Sequence, residues 1–108
     1  MGLKVDGDYI KDGSKKVGRL KRDRIYEGTS TSSSRCLATI KREYVYSGTS
    51  TSSSKCIGTV KGDYIYQGRS TSSSKRIGKL RDAERVISGR CSNEVLAAVY
   101  ILHKRGHF

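Results

Sequence analysis

The sequence predicts an all-β fold of five repeated β-hairpins followed by a short C-terminal helix. Three observations lead there. A Tyr-x-Gly unit, a Ser/Thr run, a basic residue and an aliphatic strand pattern recur about every twenty residues, at Tyr26, Tyr46 and Tyr66. Aliphatic pairs flank short polar segments at turn spacing. Proline is absent while glycine reaches 12, which suits strands joined by glycine and serine turns. A repeat of this size cannot bury its own apolar face, so function is to be sought on the assembled array.

The elements follow in order. Residues 38–48 (ATIKREYVYSG) and 58–68 (GTVKGDYIYQG) align without a gap, and 18–28 (GRLKRDRIYEG) joins them. Two marginal copies lie at 3–13 (LKVDGDYIKDG) and 78–89 (GKLRDAERVISG), the second with Ala83 read as one extra residue inside the last hairpin. The step from Gly13 to Gly28 is 15 residues, against 20 for the next two, so the connector Ser14 to Lys16 is the short version. Val60 and Ile65 flank KGDY, which predicts a two-residue turn at Gly62 and Asp63 with Lys61 opposite Tyr64 and Val60 across from Ile65. Val5 with Ile10, Leu20 with Ile25, Ile40 with Val45 and Leu80 with Val86 repeat that pair, giving two apolar columns as the expected core. Turns at Arg22–Asp23 and Arg42–Glu43 stand where glycine would be easier. A third column, Val17, Leu37, Ile57 and Ile77, precedes a small residue at 18, 38, 58 and 78; close backbone approach is the expected reason, a bend or bulge the alternative. In residues 92–103, Ser92 or Asn93 can cap a helix starting at Glu94, whose apolar run VLAAVYIL would cover or plug one end of the array. A closing strand is the rival there, favoured by the β-branched Val99 and Ile101.

Charge is the strongest functional pointer. With 22 Lys and Arg against 10 Asp and Glu, the net charge is +12, a field that attracts nucleic acid, an anionic surface or an acidic protein. Lys21, Arg22, Lys41, Arg42 and Lys61 fall at turns, and Arg35, Lys55 and Lys75 end the serine runs 30–34, 50–54 and 70–74. Together with Tyr44 and Tyr64 they form the candidate anion-binding surface, in which the tyrosines either stack on bases or pack over Lys41 and Lys61 of their own hairpins. Solvent-facing positions of a hairpin array are also basic for solubility alone. The serine runs likewise read either as a hydroxyl row for phosphate or sugar or as tolerant, solvated loops.

Other chemistries find little support. Three cysteines and two histidines are present, but only His103 and His107 have local spacing, so no metal ligand set and no cofactor is expected. Lys16 and Arg76 replace Cys36 and Cys56 in equivalent repeats, which suggests an exposed column of free thiols. The acidic residues Asp8, Asp23, Glu43, Asp63 and Glu84 come one per expected turn, whereas acid/base catalysis needs differently tuned carboxylates in one cleft. No stretch is long enough for a membrane span, and the start MGLKVDG lacks the apolar run of a secretory signal and the Ser or Thr of an acylation motif, so a cytoplasmic protein is expected.

The stretch GDYIYQGRSTSSSKRIGKL resembles the GDYIREGSSTSGRVLGTI-type repeat of the five-fold beta-flower proteins, and the likeness runs from Val5 to Ala97 and Ala98. The resemblance implies five hairpins arranged radially about a pseudo-five-fold axis and carries no activity onto residues. A β-solenoid of twenty-residue coils is the structural alternative, in which Cys36 would stack over Cys56. The expected function is a small non-enzymatic structural or protein-interaction module, with anion or nucleic-acid binding as the alternative; partners are a protein, a polyanion, or a second copy joined through strand edges or the C-terminal segment.

Overall fold

Each of the first four sequence copies folds into an antiparallel hairpin. In the computed structural model, which describes residues 3–49, 51–69, 71–89 and 91–106, β1 (Leu3–Asp6) pairs with β2 (Tyr9–Asp12) and β3 (Lys15–Lys21) with β4 (Arg24–Glu27). In the same way β5 (Cys36–Lys41) pairs with β6 (Tyr44–Ser47), and β7 (Cys56–Lys61) with β8 (Tyr64–Gln67). Their registers set Val5 opposite Ile10, Leu20 opposite Ile25, Ile40 opposite Val45 and Val60 opposite Ile65, with Lys61 opposite Tyr64. All eight aliphatic residues belong to one hydrophobic cluster, Leu20 as a half-buried member.

The fifth copy departs from the prediction. Residues 78–89 form no hairpin: β9 (Arg76–Lys79) runs into the helix α1 (Leu80–Val86), which leads to β10 (Ile87–Gly89). The physical reason lies in LRDAERV, which has no glycine to turn on and is built of helix formers. Asp82 accepts a hydrogen bond from the Lys79 backbone N–H at 3.1 Å, satisfying a donor at the helix start. Ala83, expected as a surplus hairpin residue, is buried with Leu80 on the inner face of this helix. Leu80 therefore does not pair with Val86, and Glu84 is a helical residue instead of a turn acid.

The ten strands form one sheet in the order β10-β1-β2-β3-β4-β5-β6-β7-β8-β9, antiparallel throughout except that β10 lies parallel to β1. Consecutive antiparallel neighbours exclude a solenoid of parallel coils; Cys36 sits opposite Tyr26 and Cys56 opposite Tyr46, not over one another. Between hairpins the register shifts by one residue each time: Ile10 faces Gly18 while Lys11 faces Lys16, and Ile25 faces Ala38 while Tyr26 faces Cys36, with the same step after Val45 and Ile65. The residues skipped are Val17, Leu37, Ile57 and Ile77, so the third apolar column is a row of β-bulges. A bulge bends its strand, and a bend at each junction curls the sheet.

The curl encloses α2 (Asn93–Lys104). Ser92 caps it by accepting from the Val95 N–H at 3.2 Å, as the sequence suggested. Seven successive residues, Leu96 to Leu102, are buried, so the helix lies within the hydrophobic cluster. The small residues at strand starts make room for it: a Cβ on Gly58 would lie 2.2 Å from Ile101 Cδ1, and one on Gly78 would lie 3.2 Å from the Tyr100 hydroxyl.

Two backbone features yield measurable consequences. Gly89 (φ +98°) closes the β10–β1 seam, and a Cβ there would meet the Val5 carbonyl oxygen at 2.0 Å, a clash with main chain that cannot yield. Gly89→Ala should therefore cost upwards of about 2 kcal/mol in urea unfolding. Gly58→Ala should cost about 1 kcal/mol or less, since the Ile101 end can rotate and Ala38 already occupies the equivalent position. Arg22 (φ 56°) and Arg42 (φ 58°) adopt the left-handed conformation that Gly7 and Gly62 occupy in the other turns. Arg42→Gly should stabilise the fold by about 1 kcal/mol in the same assay.

Candidate basic cleft

The hairpin turns carry most of the candidate residues, and the fold locks their spacing through one recurring bond. The carbonyl of the second turn residue accepts from the N–H of the inward aliphatic residue of the next unit: Asp8 from Leu20 at 2.7 Å, Asp23 from Ile40 at 2.6 Å, Glu43 from Val60 at 2.8 Å and Asp63 from Leu80 at 2.8 Å. Lys21, Arg22, Lys41, Arg42 and Lys61 are consequently held at a fixed pitch with their side chains exposed.

Two neighbouring clefts collect part of this set. The first, of about 600 Å³, opens between the second and third hairpins and is lined by Lys21, Arg22, Arg24 and Lys41, with Asp23 as its one acid and the hydroxyls of Tyr26, Thr31, Thr39 and Thr51 around them. The second, about 440 Å³, shares Arg22, Asp23, Ile40 and Lys41 and adds Arg42 and the start of α2 at Ser92, Glu94 and Val95. None of the four cations of the first cleft forms an ion pair among the described residues; the pairs present are Lys11–Asp6 at 2.9 Å and Arg35–Glu27 at 2.6 Å. Arg35 is thereby taken out of the free cations, and Lys11 draws the Asp6 carboxyl below its usual range, mainly by its hydrogen bond.

The remaining candidates lie elsewhere. Lys55 and Lys75 end single 3-10 turns (Ser53–Lys55 and Ser73–Lys75) and, like Lys61, line neither cleft. Within the serine runs, hydroxyls pair with each other at about 3 Å, Ser32 with Ser34, Ser52 with Ser54 and Ser72 with Ser74; Ser50 and Ser70 lie outside the described residues. Tyr44 and Tyr64 are half-buried, and their cationic partners are not Lys41 and Lys61. The Arg69 guanidinium lies 4.8 Å from the Tyr44 ring centroid, and Arg76 lies 3.7 Å from that of Tyr64 with Lys79 at 5.8 Å. A hydrogen bond to Tyr44 raises the Arg69 pKa further. A guanidinium thus covers a face of each ring, and the packing of these tyrosines over the lysines of their own hairpins is replaced by packing against Arg69 and Arg76.

Arg24, Arg69, Thr31 and Thr51 were missed by the sequence reading. Arg24 had a legible signal, being the non-aromatic member of the column Tyr9, Arg24, Tyr44, Tyr64. The cysteines are half-buried and without disulfides, Cys36 and Cys56 pointing their thiols at the Ala38 and Gly58 carbonyls at 3.3 Å; burial pushes the Cys91 thiol up. Among the described residues no group of three or more His, Cys, Asp or Glu could hold a metal ion; His103 stands in the last turn of α2, and His107 lies outside them. Carboxylates at Asp8, Asp23, Glu43 and Asp63 stay one to a turn, an arrangement not organised for acid/base catalysis. No described helix is long and apolar enough to cross a membrane.

A double-mutant cycle with Tyr64→Leu and Arg76→Gln should return a coupling of about 0.5–1 kcal/mol in unfolding measurements, the size of an exposed cation–π contact. A coupling indistinguishable from zero would remove the stack.

No curated protein matches the chain, and no solved structure does. A family model described as "6-fold beta flower protein" matches residues 3–101. That description corrects the five-fold resemblance, and the count of five hairpins falls with the reading of residues 78–89 as one: β9 and β10 stand at opposite edges of the sheet, so four hairpins and two lone strands surround the core. With nearly its whole length matched by that model, the chain belongs to the 6-fold beta flower family.

Proposed function

We propose that this beta-flower chain is a non-enzymatic binding module whose turn rim engages a polyanion, the phosphate backbone of nucleic acid being its simplest representative. One observation carries the reading: Arg22 and Arg42 occupy turn positions at φ 56° and 58° where glycine serves in the other hairpins, and both line clefts with Lys41 beside them. Left-handed backbone at a long cationic side chain costs about 1 kcal/mol, and such outliers concentrate at binding sites. The net charge of +12 supports an electrostatic mode of recognition. Exposed turn cations outnumber the half-buried rings of Tyr44 and Tyr64, each of which already carries a guanidinium, and this favours contact with phosphates over contact with bases.

Fluorescence anisotropy with mixed-sequence single- and double-stranded oligonucleotides tests it. Binding should appear at low salt and weaken steeply at moderate salt, with a log–log slope of about −3 on single strands if four or so cations engage. Little sequence preference is expected, and Arg22→Gly with Arg42→Gly should flatten the slope by about one to two units. Absence of binding at low salt would leave the charge as a solubility feature of a structural module.

A further inference from the structure

We infer that the cleft between the second and third hairpins is a discrete site for a compact, multiply charged anion of the condensed-phosphate class, created where the repeat breaks its own pattern. The inference rests on the polyanion reading but assigns it one place and one stoichiometry.

The column Tyr9, Arg24, Tyr44, Tyr64 occupies the same position in each of the four hairpins, opposite a residue of the next unit: Tyr9 faces Arg19, Arg24 faces Thr39, Tyr44 faces Thr59 and Tyr64 faces Lys79. Each tyrosine lies beneath a cation. Lys16 Nζ is 4.1 Å from the Tyr9 centroid, Arg69 4.8 Å from Tyr44, and Arg76 3.7 Å from Tyr64. Arg69 reaches Tyr44 from the connector that follows the next hairpin. One repeat earlier the same two positions hold Thr49 and Arg24, and neither the ring nor the covering guanidinium exists. Arg24 is instead exposed and lines the open cleft, whose far wall carries Thr51 from that same connector.

Chemistry within the cleft fits an oligophosphate. Four cations face one carboxylate, that of Asp23. Arg22 and Arg24 supply planar forks for paired oxygens, Lys21 and Lys41 supply point charges, and the Thr31 and Thr51 hydroxyls supply neutral donors, the Thr39 hydroxyl being spent on the Gly48 carbonyl at 2.6 Å. A cleft of about 600 Å³ exceeds what a lone phosphate fills and suits adjacent phosphate groups. Its lining is polar apart from Ile40 and the buried Tyr26 ring, so little is offered to an apolar ligand.

The repeat supplies its own control. Arg24→Tyr with Thr49→Arg installs the stack found one unit further on and leaves net charge unchanged. Tyr44→Arg with Arg69→Thr opens the equivalent cleft, again at constant charge. Isothermal titration with inorganic pyrophosphate, with circular dichroism to verify folding, reads the outcome. The unmodified chain should bind at a single site, the first pair should weaken binding by about tenfold or more, and the second pair should add a second site. A nucleoside diphosphate run in parallel should bind with similar strength, because the site reads phosphates; much tighter binding of the nucleoside form would overturn the phosphate-only assignment. Pyrophosphate binding that is absent, or that survives Arg24→Tyr with Thr49→Arg in a folded protein, overturns the discrete site. Oligonucleotide binding measured on the same proteins separates the two failures: if it persists while the pyrophosphate site is missing, the rim still binds polyanions without a localised cleft, and if both vanish the broader reading falls as well.

Discussion

The fold depends on one helix buried through seven successive residues. A segment such as Leu96 to Leu102 has no solvent face, so it is stable only where apolar side chains meet it on all sides. The strands provide that enclosure because each hairpin sends one matched aliphatic pair inward and keeps small residues where the helix passes nearest. Ile101 against Gly58 and Tyr100 against Gly78 mark those points, and Ala38, fully buried, shows the largest residue in the column. Neither component is stable alone: a two-stranded hairpin is marginal in water, and an apolar helix of this length would not remain dispersed.

Curvature couples the units. Val17, Leu37, Ile57 and Ile77 are each the extra residue of a bulge, which explains why an aliphatic column at strand starts is only half-buried. At the opposite end of each strand, the bond from a turn carbonyl to the following unit's inward N–H sets the offset between hairpins. Bulge and bond together make every unit's position a function of its predecessor, so strain at one turn is felt next door. The seam is treated differently: β10 lies parallel to β1 because the chain returns through α1, and Gly89 permits the contact.

Much of this was legible in the sequence. Register inside the first four hairpins followed from the aliphatic pairs, and the α2 start followed from Ser92, because both are local rules that connect neighbours in the chain. The last unit was misread because the repeat frame was extended over 78–89 against local propensity; Asp82 three residues after Lys79, with Leu80 and Ala83 at helical spacing, was the overlooked sign. The unit count of the family was misjudged with it. Partners of Tyr44 and Tyr64 were out of reach for another reason. Arg69 meets Tyr44 only because a connector folds back over the preceding hairpin, and no rule of sequence spacing encodes that path. Of the candidate surface, Lys21, Arg22 and Lys41 line one cleft, while Arg35 pairs with Glu27.

A repeat fold poses a particular problem for binding. Identical units distribute charge evenly, giving a diffuse field that raises local anion concentration without choosing a place. Localisation needs a departure from the repeat, and a departure has structural cost because neighbouring units are matched. Arg24 forgoes the aromatic stack its counterparts enjoy, and Arg22 adopts backbone angles that suit glycine. Both departures fall in the same hairpin and line the same cleft. Arg42 makes the same backbone departure in the third hairpin and lines the adjoining cleft beside Arg22, so the departures gather in two neighbouring hairpins, around the one stretch of rim where the proposed anion would draw on them.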